Sequence, residues 1–156
     1  MDFTKDGQVI AQANPITEGQ APDFTLTDLK GQSVTLSKLT KPVLISVFPD
    51  INTSVCHIQT KRFNMEAAKE KEIDFLSISN NTAEEQRNWC AAEDVDMTIL
   101  ADDGSFGEAY GLKMTNLNRL ARAVYVVKDG QIIYSEILSE ITQEPDYDKA
   151  IAAAKN

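Results

Sequence analysis

The spacing of apolar and polar residues divides the chain into short segments. The first twenty residues are polar around Val9 and Ile10 and read as a hairpin or strand extension. Phe24–Asp28 alternates apolar and polar side chains, the period of a half-buried strand; Gly31 interrupts it and Val34–Leu36 resumes it. Val43–Phe48 is almost continuously apolar between Pro42 and Pro49, the pattern of a central strand buried on both faces. A helix follows, with Thr53 or Ser54 as its cap. Cys56, Thr60, Phe63 and Ala67 recur at helical spacing and share one of its faces.

Ile73–Ile78 is the next strand. Thr82 and Glu85 form a capping-box pair opening a helix that extends to about Glu93, with Cys90 near its end. Met97–Leu100 reads as a short strand, Asp102–Gly104 as a solvated turn and Phe106–Tyr110 as a short helix. Ala123–Val127 and Ile132–Leu138 are strands joined by Asp129 and Gly130, a pair suited to the positive φ of a tight hairpin. Pro145 fits the first turn of a last helix ending near Ala154. This order predicts an α/β fold with a mixed sheet and helices on both faces. The helix after Val43–Phe48 starts at the carboxyl end of a buried strand, where open α/β sheets place their chemistry.

Length and charge narrow the function. The 156 residues suit one domain spanning 1–156, with no repeat or linker to divide it. A net charge of −9 disfavours nucleic acid and anionic membrane surfaces as partners. No apolar run approaches the roughly 20 residues of a membrane span, and the start of the chain has no secretory pattern. Two cysteines, Cys56 and Cys90, are too few for a disulfide scaffold and too many to ignore in a chain expected to stay in a reducing cytosol. With one histidine, His57, and no cluster of ligands, no metal site is expected. Helix neighbours diverge by about 100°, so the His57 ring is not expected on the Cys56 sulfur.

Cys56 falls in the first turn of its helix. Holding a free thiol as an anion at neutral pH takes roughly 3 kcal/mol of preferential stabilisation. A helix N-terminus supplies up to about 2 kcal/mol, so a nearby guanidinium is needed as well. Arg62 lies about 240° around the helix from Cys56 and points away. Arg87 and Arg119 stay open. Arg122, immediately before the apolar strand Ala123–Val127, is favoured because a charge against a buried strand needs a partner.

The spacing Pro49-x-x-x-Thr53-x-x-Cys56 resembles the active-site signature of the peroxiredoxins. The stretch FPDINTSVCHIQTKRFN is similar to their thiol peroxidase branch, as are the blocks around Trp89-Cys90, Leu120–Val124 and Glu140–Tyr147. The two cysteines stand 34 positions apart. The resemblance implies a thioredoxin-like fold with an N-terminal β-hairpin over about residues 1–20. It implies reduction of hydrogen peroxide and organic hydroperoxides without metal or organic cofactor. Cys56 would be the peroxidatic cysteine and Cys90 the resolving one, with Pro49, Thr53 and Arg122 completing the pocket. An intramolecular disulfide, recycling by thioredoxin and a homodimer follow from the same likeness. One departure is Asn52, where the family often has Asp. Cysteines at the start of one helix and near the end of another need not touch when reduced, so local unwinding is expected in each cycle. A thiol redox sensor that passes its disulfide to a partner protein is the alternative. The absence of a Cys-x-x-Cys pair argues against a general disulfide reductase.

Overall fold

The structure, a computed structural model, describes residues 1–89 and 97–156. It opens with a hairpin of β1 (Asp2–Lys5) and β2 (Gln8–Gln12). Then come β3 (Gly19–Gln20), β4 (Thr25–Asp28), β5 (Ser33–Thr35) and a 3-10 turn at Leu36–Lys38. β6 (Val43–Val47) leads to α1 (Ser54–Lys69), β7 (Asp74–Ser79) and α2 (Ala83–Arg87). β8 (Thr98–Ala101) and α3 (Ser105–Ala109) precede the small ribbon of β9 (Lys113–Met114) and β10 (Arg119–Leu120). The hairpin of β11 (Ala123–Lys128) and β12 (Gln131–Ile137) precedes α4 (Tyr147–Lys155).

Eight strands form one mixed sheet in the order β3-β12-β11-β6-β7-β8-β4-β5. β6, β7 and β8 run parallel, and the remaining pairs are antiparallel. Successive strand residues face opposite sides, and β6 is buried at all five positions. Val43, Ile45 and Val47 join Tyr125, Phe106 and Tyr110 on one side. Leu44 joins Val124 and Val126, covered by Phe63 and Ala67 of α1 and by Ala150, Ile151 and Ala154 of α4. Burial on both sides erases the polar alternation, which is why β6 reads as a continuous apolar run. Among the described residues no helix is long and apolar enough to cross a membrane.

The thioredoxin-like sheet, the N-terminal hairpin and the positive φ of Asp129 and Gly130 agree with the sequence reading. Several local expectations fail. Val9 is 58% exposed, and Phe3 and Ala11 carry the hairpin's packing instead. α2 has the expected Thr82–Glu85 capping box and ends at Arg87; residues 90–93 of the predicted helix lie outside those described. Asn88 is its C-cap, and the Trp89 ring turns to pack 5.4 Å from that of Phe48, so tertiary packing overrides helical pattern there. Pro145 stands outside α4, whose cap is the Asp146 carboxylate accepting from the Lys149 N–H at 3.1 Å. The short β3, β9 and β10 have no pattern of their own to announce them.

Asp102 is not a solvated turn residue. It is only 8% exposed. Its carboxylate accepts the N–H groups of Gly104, Phe106 and Gly107, each at 3.0 Å. It therefore satisfies the free amides at the start of α3. Asp103 beside it is exposed. Asp102→Ala would leave buried donors unpaired and should cost about 2–4 kcal/mol in urea unfolding. Asp103→Ala should cost less than about 1 kcal/mol. Equal losses would refute this account of the loop.

Candidate active site

Strand register builds the site. Ala123 of β11 pairs with Val47 of β6, so Arg122 stands just beyond, at the strand end where α1 begins. By alternation its side chain shares the α1-covered face with Val124 and Val126. Cys56 lies in the first turn of α1 on the buried side of the helix and has no solvent exposure.

Two groups converge on the thiol. Arg122 Nη1 donates to Cys56 Sγ at 3.4 Å, and Thr53 Oγ1 lies 2.8 Å from the same sulfur. Arg122 Nη1 also donates to Gln59 Oε1 at 2.7 Å, while Nη2 donates to the Ile141 carbonyl at 3.0 Å. Gln59 is itself held from below: its Nε2 donates to Ser46 Oγ at 2.8 Å and to the Val47 carbonyl at 3.2 Å. Arg122 is 1% exposed and its Nε–H has no hydrogen-bond partner among the described residues.

Thr53 occupies the N-cap position of α1, but its hydroxyl makes no capping bond. It lies instead between Cys56 Sγ and the Asp50 carbonyl, 3.1 Å away. One hydroxyl hydrogen cannot serve both acceptors. Donation to Asp50 leaves the oxygen free to accept from a thiol, and donation to sulfur suits a thiolate. Proton loss from Cys56 can thus be matched by a rotation at Thr53. The first-turn amides of α1 are left without a Thr53 cap and add their partial positive charge near the sulfur.

Pro49 is buried in the loop between β6 and α1. That loop is fastened by Asn81, which is fully buried. Asn81 Oδ1 accepts from the Ile51 N–H at 3.1 Å and from the Ser79 hydroxyl at 3.2 Å. Its Nδ2 donates to Asp50 Oδ1 at 3.2 Å. Gln86 of α2 continues the chain of bonds by donating to Ser79 Oγ at 2.8 Å. Phe48, Ile51 and Trp89 complete an apolar wall around Cys56.

The other arginines are engaged elsewhere. Arg62 pairs with Glu66 and Asp148, at 2.7 and 3.0 Å. Arg87 donates to the Leu29 carbonyl, and Arg119 pairs with Asp50 at 3.5 Å. The His57 ring lies edge-on to Trp89, 6.1 Å between centroids. Cys90 falls in residues 90–96, outside those described. A cleft of about 540 Å³ bordered by Pro22, Leu39, Val43 and Gly130 opens at the other end of β6, away from the thiol.

Gln59, Asn81 and the Ile141 carbonyl are the parts that sequence reasoning missed. The signal for Gln59 was available. It sits three positions after Cys56, beside the apolar stripe of α1, and Ser46 interrupts the apolar run of β6. Two polar residues on facing buried surfaces need each other. Together these groups make a desolvated sulfur flanked by a cation and a hydroxyl, an arrangement that stabilises an anionic nucleophile.

Comparison with known proteins agrees with this chemistry. Residues 17–151 match the Redoxin family. A thiol peroxidase of Staphylococcus aureus strain Mu50 is 46% identical over 97% of this chain and 96% of that protein. A thiol peroxidase of Bacillus subtilis strain 168 is 41% identical over 97% of this chain and 94% of its own length. In fold, a peroxiredoxin-like protein from Aquifex aeolicus superposes with a TM-score of 0.88 over 99% of this chain and 95% of that one, at 24% identity. The chain accordingly belongs to the redoxin family and, within it, to the thiol peroxidases.

Proposed function

We propose that this chain is a thiol-dependent peroxidase of antioxidant defence that reduces hydrogen peroxide and organic hydroperoxides with Cys56 as nucleophile. The observation that carries the reading is the buried Cys56 sulfur held between the Thr53 hydroxyl at 2.8 Å and the Arg122 guanidinium at 3.4 Å. The thiolate attacks one peroxide oxygen and the O–O bond breaks. The departing oxygen leaves as an alcohol or water after gaining a proton, and Cys56 becomes a sulfenic acid. Arg122 and Thr53 orient the peroxide and stabilise the charge that develops on the leaving oxygen. Thr53 is exposed while Cys56 is fully buried, which supports a peroxide reaching the sulfur past Thr53. Pro49 shields the sulfur and stiffens the loop.

Cys90 then attacks the sulfenic sulfur, releasing water and forming an intramolecular disulfide. A thioredoxin-type dithiol takes up that disulfide by exchange and returns both thiols. On this reading the chain is one peroxiredoxin domain, working as a homodimer in the cytosol. Trp89, the residue before Cys90, packs against the Cys56 cluster, which brings the approach to the second cysteine beside the first.

With excess thioredoxin and its reductase, the wild-type chain should consume peroxide over many turnovers. Cys56→Ser should abolish this, and Cys90→Ser should allow one oxidation and no thioredoxin-supported turnover. Reversed phenotypes would mean that the roles are exchanged, and a single stoichiometric oxidation of the wild type would favour the redox sensor. A hydrogen bond to a charged group is worth about 1.5–3 kcal/mol, and about 1.4 kcal/mol is tenfold in rate. Arg122→Ala should therefore slow single-turnover oxidation of Cys56 by about 10- to 150-fold, followed by Trp89 fluorescence. Amide exchange should be faster in the disulfide form than in the reduced form around residues 49–57 and 83–90. Identical protection in both forms would exclude the unwinding step.

A further inference from the structure

The Arg122 guanidinium has two anchored ends. Nη1 is fixed by Gln59 on α1, and Nη2 by the carbonyl of Ile141. If the second anchor moves, the plane of the guanidinium can swing about the first and lose its direction toward Cys56. Ile141 lies between β12 and α4, in a stretch without regular secondary structure, so other contacts must hold its carbonyl in place.

The N-terminal hairpin provides them. Thr4 of β1 donates its N–H to the Ser139 carbonyl at 2.7 Å and accepts the Ile141 N–H at 2.9 Å. The backbone of Ile141 is thus held by β1 at its N–H and by Arg122 at its carbonyl. Glu140 fastens the clamp with both carboxylate oxygens. Oε1 accepts from the Thr4 hydroxyl at 3.0 Å and from the Gly7 N–H at 3.1 Å. Oε2 accepts from the Thr142 N–H at 3.1 Å and its hydroxyl at 2.6 Å. Gly7 presents its N–H from a turn in which Asp6 and Gly7 have φ of 52° and 84°. Residues on both sides of Ile141 are therefore pinned by one side chain.

We propose that Glu140 is a positioning residue for Arg122, acting through the N-terminal hairpin and the Ile141 carbonyl. This inference rests on the role proposed above for Arg122. The hydrogen bonds from Thr142, with those from Gly7 and Thr4, hold the Glu140 carboxyl down at about 2 against an ordinary 4.5. A lowered carboxyl contributes above its unfolded value and loses that contribution as pH falls through its folded value. The clamp is therefore fully charged from about pH 4.5 upward and weakens only toward pH 2.

The test uses the full reduced chain mixed with hydrogen peroxide in single turnover, read by Trp89 fluorescence. Glu140→Ala should slow Cys56 oxidation about tenfold. In an Arg122→Ala background the same change should have no further effect, because its target is gone. Thr4→Val, which removes one donor and leaves the backbone bonds of β1, should slow oxidation a few-fold and likewise lose its effect in that background. It provides the same test if Glu140→Ala does not fold. Wild-type rates in both variants, or slowing that multiplies with that of Arg122→Ala, would overturn the inference. Failure of the wild-type chain to oxidise Cys56 at all would instead overturn the peroxidase reading.

Discussion

Everything at this site follows from the burial of one cation. Arg122 is almost inaccessible, and among the described residues no carboxylate pairs with it. Its partners are an amide oxygen, a backbone carbonyl and a sulfur. Burying a guanidinium against an amide oxygen, a carbonyl and a sulfur is costly unless a neighbouring group carries negative charge. On the proposed mechanism, Cys56 Sγ, 3.4 Å from Nη1, takes that charge. Cation and sulfur are the pair that mechanism needs, and the surrounding fold keeps the two within bonding distance.

The sheet explains how that distance is kept. β6 and β11 are adjacent central strands, so the loop leaving β6 and the residue entering β11 meet at one end of a rigid layer. α1 rises from this end with Cys56 in its first turn. Gln59, one turn further on, connects helix, strand and guanidinium through Ser46 and Val47. Thr53 and Cys56 belong to the same helix start, so their 2.8 Å contact needs little tertiary support. The contact to Arg122 needs a great deal.

Local signals made much of this legible from the chain alone. β6 lies between two prolines, the capping box of α2 is complete, and Asp129-Gly130 dictates its turn. Arg122 could be favoured because a charge entering an apolar strand demands a partner. The features that escaped depend on residues distant in sequence. Nothing beside Asp102 indicates that its carboxylate will be buried against α3. Nothing in Asn81 indicates that it will fasten a loop thirty residues earlier, at Ile51. α2 ends at Arg87, and Trp89 packs into the wall around Cys56, a contact with Phe48 more than forty positions earlier. A backbone carbonyl such as that of Ile141 carries no side-chain signature at all.

The attachment of β1 to the stretch before α4 has a consequence for biosynthesis. Thr4 and Glu140 are 136 positions apart, and Arg122 follows Cys56 by 66. A ribosome releases the cysteine long before the arginine, and the arginine before the segment that steadies it. Contacts so distant along the chain form late. The nascent polypeptide thus exposes Cys56 before its partner exists, and the sulfur meets a steadied Arg122 only when both ends of the chain have come together.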